Sequence, residues 1–201
     1  MDSSPEVLDY VARLSTGSHA LFLYETVRQA SEVFRAYLDG AIDRGEAIFF
    51  IGSSHENLRD FLGLAGAEVP SLEKDGILRH VPLWDFCFED WQLSRRKAWE
   101  SVQGLLRGVA ESGLKGARVI LLADRCLRYA MPKELVQFER EWGISFDSPV
   151  SVICSYDVSR MSSLGLGSLM IELIRLHGHG IFKGLVSQND EKVTHLSTVA
   201  T

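Results

Sequence analysis

Cysteine is scarce in this sequence, and long hydrophobic runs are absent. The three cysteines, Cys87, Cys126 and Cys154, form no Cys-x-x-Cys pair, whereas disulfide frameworks and zinc modules need closely spaced pairs. No apolar run approaches the roughly 20 residues that a membrane-spanning helix needs. Residues 1–18 also lack the apolar segment of a signal peptide. These absences predict a cytoplasmic protein that is neither exported nor inserted into a membrane.

An excess of positive charge is also missing. The chain has 27 acidic and 21 basic residues, a net charge of -6, so we expect no direct nucleic-acid binding and no docking on anionic membranes. Its 201 residues are 46% hydrophobic, which is ordinary for one globular domain and too little for a membrane protein.

Two kinds of apolar pattern alternate along the chain. Short continuous apolar runs predict strands, at 19–24, 45–53, 77–83, 117–123, 149–156 and 179–186. Apolar residues at three- and four-residue steps predict helices, at 26–44, 56–65, about 90–112, from 132 onward and near 162–176. This order predicts a three-layer α/β/α domain with a mainly parallel sheet. We expect a lead-in at 1–18, the domain at 19–186 and a flexible polar tail at 187–201.

A glycine-rich loop is missing after the first predicted strand. In RecA-like ATPases this place holds glycines, whose backbone N–H groups surround the phosphates, and a lysine that reaches the terminal phosphate. Here no glycine occurs between Tyr24 and Gly40, no lysine replaces it, and Glu25 would repel a polyphosphate. The sequence therefore predicts a RecA-like fold without its phosphate-binding loop, and no enzymatic activity.

Polar side chains follow three of the predicted strands, at Tyr24 and Glu25, at Asp124, and at Tyr156 and Asp157. In open parallel sheets, ligands bind beyond the carboxyl ends of the strands. We expect Tyr24 and Tyr156 to converge on one cleft as aromatic walls, with carboxylates that orient the ligand. Asp124 resembles a magnesium-binding Walker-B aspartate; the alternative is an aspartate that caps the next turn.

Five segments in order resemble a known family. They are SHALFLYET, YLDGAIDRGEAIFFIGS, LVQFEREW, PVSVICSYD and LIRLHGHGIF. Together they are similar to the MEDS domain, the methanogen/methylotroph DcmR-like sensory domain, a divergent relative of KaiC and RecA ATPases. The resemblance covers about residues 19–186, although His-Gly-His at 177–179 departs from the expected His-Pro pair. It implies a non-catalytic sensor of small organic molecules, namely hydrocarbon derivatives.

The resemblance and the strand-end positions together give the candidate ligand-binding residues, which are His19, Tyr24, Glu25, Asp124, Glu139, Tyr156, Asp157 and His177. Simpler roles remain open: a structural hydrogen bond for His19, core packing for Cys154, and a solvated charge or a backbone partner for Glu139. A metal site of His177 and His179 with His19 or Cys154 is not predicted, because no pair has helical or hairpin spacing. We predict no catalytic residue, metal or cofactor.

The resemblance also implies an output partner, since related domains are joined to signalling modules. We expect a separate histidine kinase or transcription regulator, and a homodimer is a further candidate. Aromatic residues at 84, 86, 88 and 91 fit a pocket lid or a dimer face, but core packing is the commoner outcome. The alternatives are an assembly module without a ligand, and a divergent nucleotide-binding enzyme that uses Asp124, Glu139 and His177 as acid and base.

Overall fold

Strands and helices alternate along the chain, as the apolar pattern predicts. The computed structural model describes residues 3–142, 149–182, 185–190 and 193–197. The strands of the main sheet are β1 (His19–Tyr24), β2 (Ala47–Gly52), β3 (Leu78–Pro82), β6 (Ala117–Leu122), β7 (Val150–Asp157), β8 (His179–Phe182), β9 (Leu185–Asp190) and β10 (Val193–Ser197). A short hairpin adds β4 (Phe88–Glu89) and β5 (Gln92–Leu93).

Nine helices are described: α1 (Pro5–Ala12), α2 (Val27–Arg44), α3 (His55–Leu64), α4 (Val69–Lys74), α5 (Leu83–Cys87), α6 (Arg95–Glu111), α7 (Pro132–Trp142), α8 (Val158–Ser163) and α9 (Gly167–Leu176). A 3-10 helix spans Ala123–Arg128. The sheet order is β10-β9-β8-β1-β7-β6-β2-β3. The six strands from β8 to β3 are parallel, and β9 and β10 extend the sheet antiparallel.

Each face of the sheet carries its own apolar layer. One layer packs β1, β2, β6 and β7 against α5 to α9, and the other packs the opposite face against α1 to α4. Because successive side chains of a strand point to opposite faces, Leu21 and Leu23 enter the first layer while Phe22 and Tyr24 enter the second. Burial on both faces explains the continuous apolar runs, and the predicted three-layer fold is confirmed.

Four predicted elements differ from the structure. The single strand predicted at 179–186 is divided between β8 and the start of the antiparallel strand β9. The helix predicted from about residue 90 begins only at Arg95, because Asp90 and Trp91 turn the β4–β5 hairpin with φ values of 47° and 67°. The helix predicted near 162–176 is two helices, α8 and α9, separated by a left-handed turn at Gly165 (φ 70°).

The predicted tail from residue 187 is also different, since its described part forms strand β10 and most of β9. Backbone hydrogen bonds to β8 build this antiparallel pair, and a polar sequence gives no apolar pattern that would reveal it. Residues 183, 184, 191, 192 and 198–201 lie outside the described part of the chain.

A buried ion pair ties α1 and α2 to the sheet. The Arg118 guanidinium on β6 donates to Glu46 (Nε to Oε2, 2.7 Å) and to the carbonyls of Tyr37 and Ala12 (3.0 Å each). It also lies over the Tyr37 ring, 4.7 Å from the centroid. Arg118 is fully buried, and such a charge is tolerated because every contact supplies an acceptor or a π face.

Candidate functional site

Four side chains with metal-ligating atoms meet inside the protein, between the sheet and helices α7 and α9. His19 opens β1, Cys154 lies in the middle of β7, Glu139 projects from α7, and His177 follows α9. One ligand atom from each residue lies within 4.8 Å of the others, and all four residues are buried. We call this set the His–Glu–Cys cluster.

Glu139 is the hub of the His–Glu–Cys cluster. Its Oε2 atom lies 3.4 Å from His19 Nε2, 3.6 Å from His177 Nε2 and 3.5 Å from Cys154 Sγ, which donates to it. Its Oε1 atom accepts a hydrogen bond from the Tyr156 hydroxyl. His19 Nε2 is also 3.2 Å from Cys154 Sγ, and the two imidazole rings lie with centroids 4.1 Å apart.

Burial and neighbouring groups shift the protonation of the cluster. Burial alone would raise the pKa of the Glu139 carboxyl. That pKa is instead lowered to about 2 by the hydrogen bond with His19, by the charges of both histidines and by the hydrogen bond from the Tyr156 hydroxyl. Burial, reinforced by His19, lowers the pKa of His177 to about 4. Burial raises the pKa of the Cys154 thiol, and the Glu139 charge adds to this. Near neutral pH the cluster thus holds a carboxylate, a thiol and a neutral His177.

A second polar group lies at the carboxyl edge of the sheet, where the sequence places Asp124. The Asp124 carboxylate is buried and lies 3.5 Å from Arg160 Nε and 3.7 Å from Arg125 Nε. Burial raises the pKa of Asp124 to about 6, although both guanidinium groups oppose that shift. The two arginines therefore occupy the immediate surroundings that a Walker-B aspartate would offer to Mg²⁺. Neither carboxylate oxygen has a hydrogen-bond partner in the described part of the chain, although the interaction with its own backbone amide lowers the Asp124 pKa, so the capping role stays a prediction.

The turn after β1 uses its own side chains where an ATPase would bind phosphate. Helix α2 begins at Val27, and the Thr26 hydroxyl accepts a hydrogen bond from the Gln29 amide (3.1 Å). The Gln29 side chain in turn accepts from the Glu25 amide (3.0 Å). Two backbone donors of this turn, the Glu25 and Gln29 amides, are thus bonded within the protein instead of to a phosphate, which agrees with the predicted loss of the loop.

The structure divides the candidate residues into two groups. His19, Glu139, Tyr156 and His177 belong to the cluster or contact it, whereas Tyr24, Asp124 and Asp157 lie at the carboxyl edge. Glu25 is exposed on the turn. Asp157 caps α8 by accepting from the Arg160 amide (3.0 Å).

One expectation about these residues is wrong: Tyr24 and Tyr156 do not share a cleft. Leu23 is the register partner of Tyr156, so Tyr24 faces the opposite side of the sheet, and both tyrosines are buried. The Tyr24 hydroxyl has no hydrogen-bond partner among the described residues.

Three residues of this region add to the sequence predictions. Cys154 is a fully buried core residue, as core packing requires, and its thiol also joins the cluster. His179 is not in the cluster, since its Nδ1 pairs with the Tyr10 hydroxyl of α1 (2.5 Å). Arg118 gave a usable signal, because an arginine within an apolar central strand must find a buried partner.

The aromatic residues after β3 have mixed roles. Phe86 and Phe88 pack in the core, Trp84 stacks on Phe88 (4.6 Å between centroids), and Trp91 is 78% exposed. Trp84 is partly buried and also packs against the core, so the prediction of core packing is right for three of the four. No helix in the described part of the chain has the length and apolarity to cross a membrane.

Comparison with solved structures identifies the fold. An uncharacterized protein from Pyrococcus horikoshii, crystallised in complex with an unknown peptide, has a TM-score of 0.64 at 11% identity and covers 91% of this chain and 86% of its own. A KaiC-like protein from the same organism gives 0.56 at 14% identity (90% and 82%). The flagellar accessory protein FlaH from Methanocaldococcus jannaschii gives 0.51 at 10% identity (90% and 80%). These likenesses show a RecA-like fold and leave function open.

Comparison with family descriptions is more specific. No curated protein gives a significant match. Residues 18–177 match the family described as MEDS, the MEthanogen/methylotroph, DcmR Sensory domain. That range contains all four residues of the His–Glu–Cys cluster, and the match confirms the resemblance seen in the five sequence segments. The chain therefore belongs to the MEDS family of sensory domains.

Proposed function

We propose that this chain is a non-catalytic cytoplasmic sensory module that binds its small ligand at the His–Glu–Cys cluster and regulates a separate signalling protein. The observation that carries this proposal is the meeting of two imidazoles, a carboxylate and a thiol within 4.8 Å in a buried site. Buried polar groups are costly to maintain, and sensory function gives a reason to keep four of them together.

Catalysis is the weaker interpretation of the same residues. The turn after β1 bonds its own amide groups, and Asp124 is paired with Arg125 and Arg160. The enzyme alternative needs Asp124, Glu139 and His177 around one reaction centre. Asp124 has the arginines 125 and 160 as its polar neighbours, whereas Glu139 has the two histidines and Tyr156, which argues against such a centre.

The cluster is well placed to transmit a signal. Its residues come from two neighbouring strands, from α7 and from the segment that joins α9 to β8. A ligand that pulls Glu139 or His177 would move α7 or α9 relative to a rigid sheet. Both helices have exposed faces, such as Ile171 and Ile174 on α9, which are 54% and 45% exposed. A partner bound to these faces, for example a histidine kinase or a transcription regulator, would respond to that movement.

The family resemblance implies a small organic ligand, and the cluster restricts its chemistry. A hydrocarbon derivative would need a polar group, such as a carboxylate, thiol or amine, to interact with the cluster. Tyr24 and Tyr156, which were expected to hold its apolar part, face opposite sides of the sheet. We therefore expect recognition to depend on the polar atoms of the cluster.

A thermal-stability screen tests this proposal. Wild-type protein is heated with short-chain carboxylates, thiols, amines and halogenated hydrocarbons, and separately with Mg²⁺ and ATP. A ligand of the native state raises the apparent Tm. We expect such a rise with at least one organic compound, none with Mg²⁺ and ATP, and its loss in Glu139→Gln. The surface variant Asp43→Asn is the control and should respond like wild type.

Two results would contradict the proposal. Stabilisation by Mg²⁺ and ATP would favour the nucleotide-binding alternative. An equal response in wild type and Glu139→Gln would place the ligand away from the cluster.

A ligand-free assembly module is the second candidate function, and the burial of both tyrosines favours it. Tyr24 and Tyr156 are at most 1% exposed and fill the interior beneath the sheet edge. An assembly module needs no pocket. It predicts a concentration-dependent oligomer in analytical ultracentrifugation that no compound of the screen alters.

A further inference from the structure

We infer that the His–Glu–Cys cluster is a tetrahedral binding site for a transition-metal ion of the zinc type, with His19, Glu139, Cys154 and His177 as its four ligands. The biological meaning of this inference rests on the proposed sensory role, in which an organic ligand would have to displace one of these four side chains from the ion; metal binding itself is tested separately. Sequence spacing gave no sign of such a site, because the four ligands come from four different elements.

Four of the six separations between the ligand atoms are close to those of a tetrahedron, and all six are within 4.8 Å. Metal–ligand bonds of about 2.0–2.3 Å to nitrogen, oxygen and sulfur place the corners of a tetrahedral zinc site roughly 3.3–3.8 Å apart. The distances from Glu139 Oε2 to His19, Cys154 and His177 are 3.4, 3.5 and 3.6 Å, and His19 Nε2 lies 3.2 Å from Cys154 Sγ. Small movements would complete the coordination.

The four ligands also select the type of metal. Thiolate and imidazole bind zinc, cobalt and iron ions in preference to Ca²⁺ or Mg²⁺, which prefer all-oxygen sites. Charge balance agrees, because metal binding would release the Cys154 thiol proton to solvent, and the resulting thiolate and the Glu139 carboxylate together neutralise a divalent cation. A buried site without net charge avoids the cost of isolated ions.

Outer hydrogen bonds hold two of the ligands in the orientation that a metal needs. His177 Nδ1 donates to the Leu173 carbonyl (2.8 Å), which directs its Nε2 lone pair toward the cluster. The Tyr156 hydroxyl donates to Glu139 Oε1 and leaves Oε2 for the metal. Such partners are characteristic of metal sites, and their loss typically weakens binding about 10–100-fold.

A purely structural hydrogen-bond network is the competing explanation. It accounts for the Tyr156 and Cys154 hydrogen bonds to Glu139. It gives no reason for three atoms, His19 Nε2, Cys154 Sγ and His177 Nε2, to converge on Glu139 Oε2 at 3.4–3.6 Å. A carboxylate oxygen has about two lone-pair sites, so hydrogen bonding alone would not place three groups around it.

Cobalt titration provides the test, with Co²⁺ as a spectroscopic probe of the full chain after chelator treatment. We expect one equivalent to bind, with the intense visible bands of tetrahedral cobalt and a near-ultraviolet cobalt–thiolate charge-transfer band. One equivalent of Zn²⁺ should remove both. Cys154→Ser should lose the charge-transfer band, and the buried cysteine variant Cys87→Ser should keep it. Tyr156→Phe, which keeps all four ligands, should bind Co²⁺ about 10–100-fold more weakly.

The outcomes distinguish the inference from the proposed function. Circular dichroism first establishes that each variant is folded, and Glu139→Gln replaces Cys154→Ser if the latter is not. Absence of a charge-transfer band in wild type, or its loss in Cys87→Ser but not in Cys154→Ser, overturns the metal site. An organic ligand that still stabilises metal-free wild type would then leave the sensory proposal standing.

Discussion

Two buried groups should make the stability of this protein respond to pH in opposite directions. His177 has its pKa lowered from 6.5 to about 4, and Asp124 has its pKa raised from 3.8 to about 6. Both are at most 2% exposed, so solvent screens neither strongly. Their titration ranges overlap between pH 4 and 6, and each should hide the effect of the other in the wild-type protein.

The direction of each effect follows from where the proton binds. Between pH 4 and 6.5 the unfolded chain binds a proton at His177 and the folded chain does not, so stability rises with pH. Between pH 3.8 and 6 the folded chain keeps a proton on Asp124 that the unfolded chain has lost, so stability falls as pH rises. Since one pKa unit corresponds to about 1.4 kcal/mol, each effect is worth about 3 kcal/mol.

Single substitutions should separate the two effects. In Asp124→Asn, where only His177 remains, the free energy of unfolding should rise by about 3 kcal/mol from pH 4 to 6.5 relative to wild type. In His177→Gln, where only Asp124 remains, the free energy of unfolding should fall by a similar amount over the same pH range relative to wild type. Urea unfolding of chelator-treated protein, followed by far-ultraviolet circular dichroism, measures both. Most other titrating groups have the same surroundings in all variants and cancel in the differences. Glu139 is the exception, because His177 helps to lower its pKa to about 2, but it titrates mainly below this pH range in wild type. Asp43→Asn is the surface control.

The slopes matter here, not the absolute stabilities, because each substitution also changes local packing. If Asp124→Asn and His177→Gln both follow the wild-type pH profile, the assigned burial and charge environments of these groups are wrong. The same conclusion would follow if the pH dependence of the unfolding free energy, relative to wild type, had the same sign in both variants.

Two further predictions concern stability. Glu46→Ala, which leaves the buried Arg118 without its carboxylate, should lower the free energy of unfolding, measured in urea, by about 3–5 kcal/mol. The double variant Glu46→Leu with Arg118→Met should lower it much less, because no buried charge is left unpaired. Equal losses in the two proteins would contradict the importance of the pair. Trp91→Gly should raise the Tm, because aspartate followed by glycine is the favoured sequence for a two-residue hairpin turn with positive φ at both positions, and Trp91 contributes little burial. A lower Tm would show that the exposed ring stabilises the fold.

The sequence predicted the central strands well because burial on both faces produces a signal that a single segment contains. β1 matches its prediction at both ends, and β2, β6 and β7 match within two residues. The β4–β5 hairpin was not predicted, because its turn residues Asp90 and Trp91 lack the glycine that marks such turns. Strands β9 and β10 escaped because their pairing depends on backbone hydrogen bonds.

The candidate site was predictable as a set of residues but not as a geometry. His19, Glu139 and His177 were all identified, yet nothing in their spacing showed that they meet. Their meeting depends on β1 lying between β7 and β8, and on the register that pairs His19 with Val152. A shift of one residue would move Cys154 to the other face. The same dependence explains why Tyr24 and Tyr156 were wrongly placed in one cleft.

The position of the cluster explains how a RecA-like fold can serve a sensory role without its usual site. Ligands of open parallel sheets bind at the carboxyl edge, and here the Asp124 carboxylate at that edge lies within 3.7 Å of two guanidinium groups. The cluster instead lies near the amino end of β1, between the sheet and two helices. Under the proposed function, a ligand there would contact α7 and the segment that follows α9, so its binding energy could shift these helices without any movement of a phosphate loop.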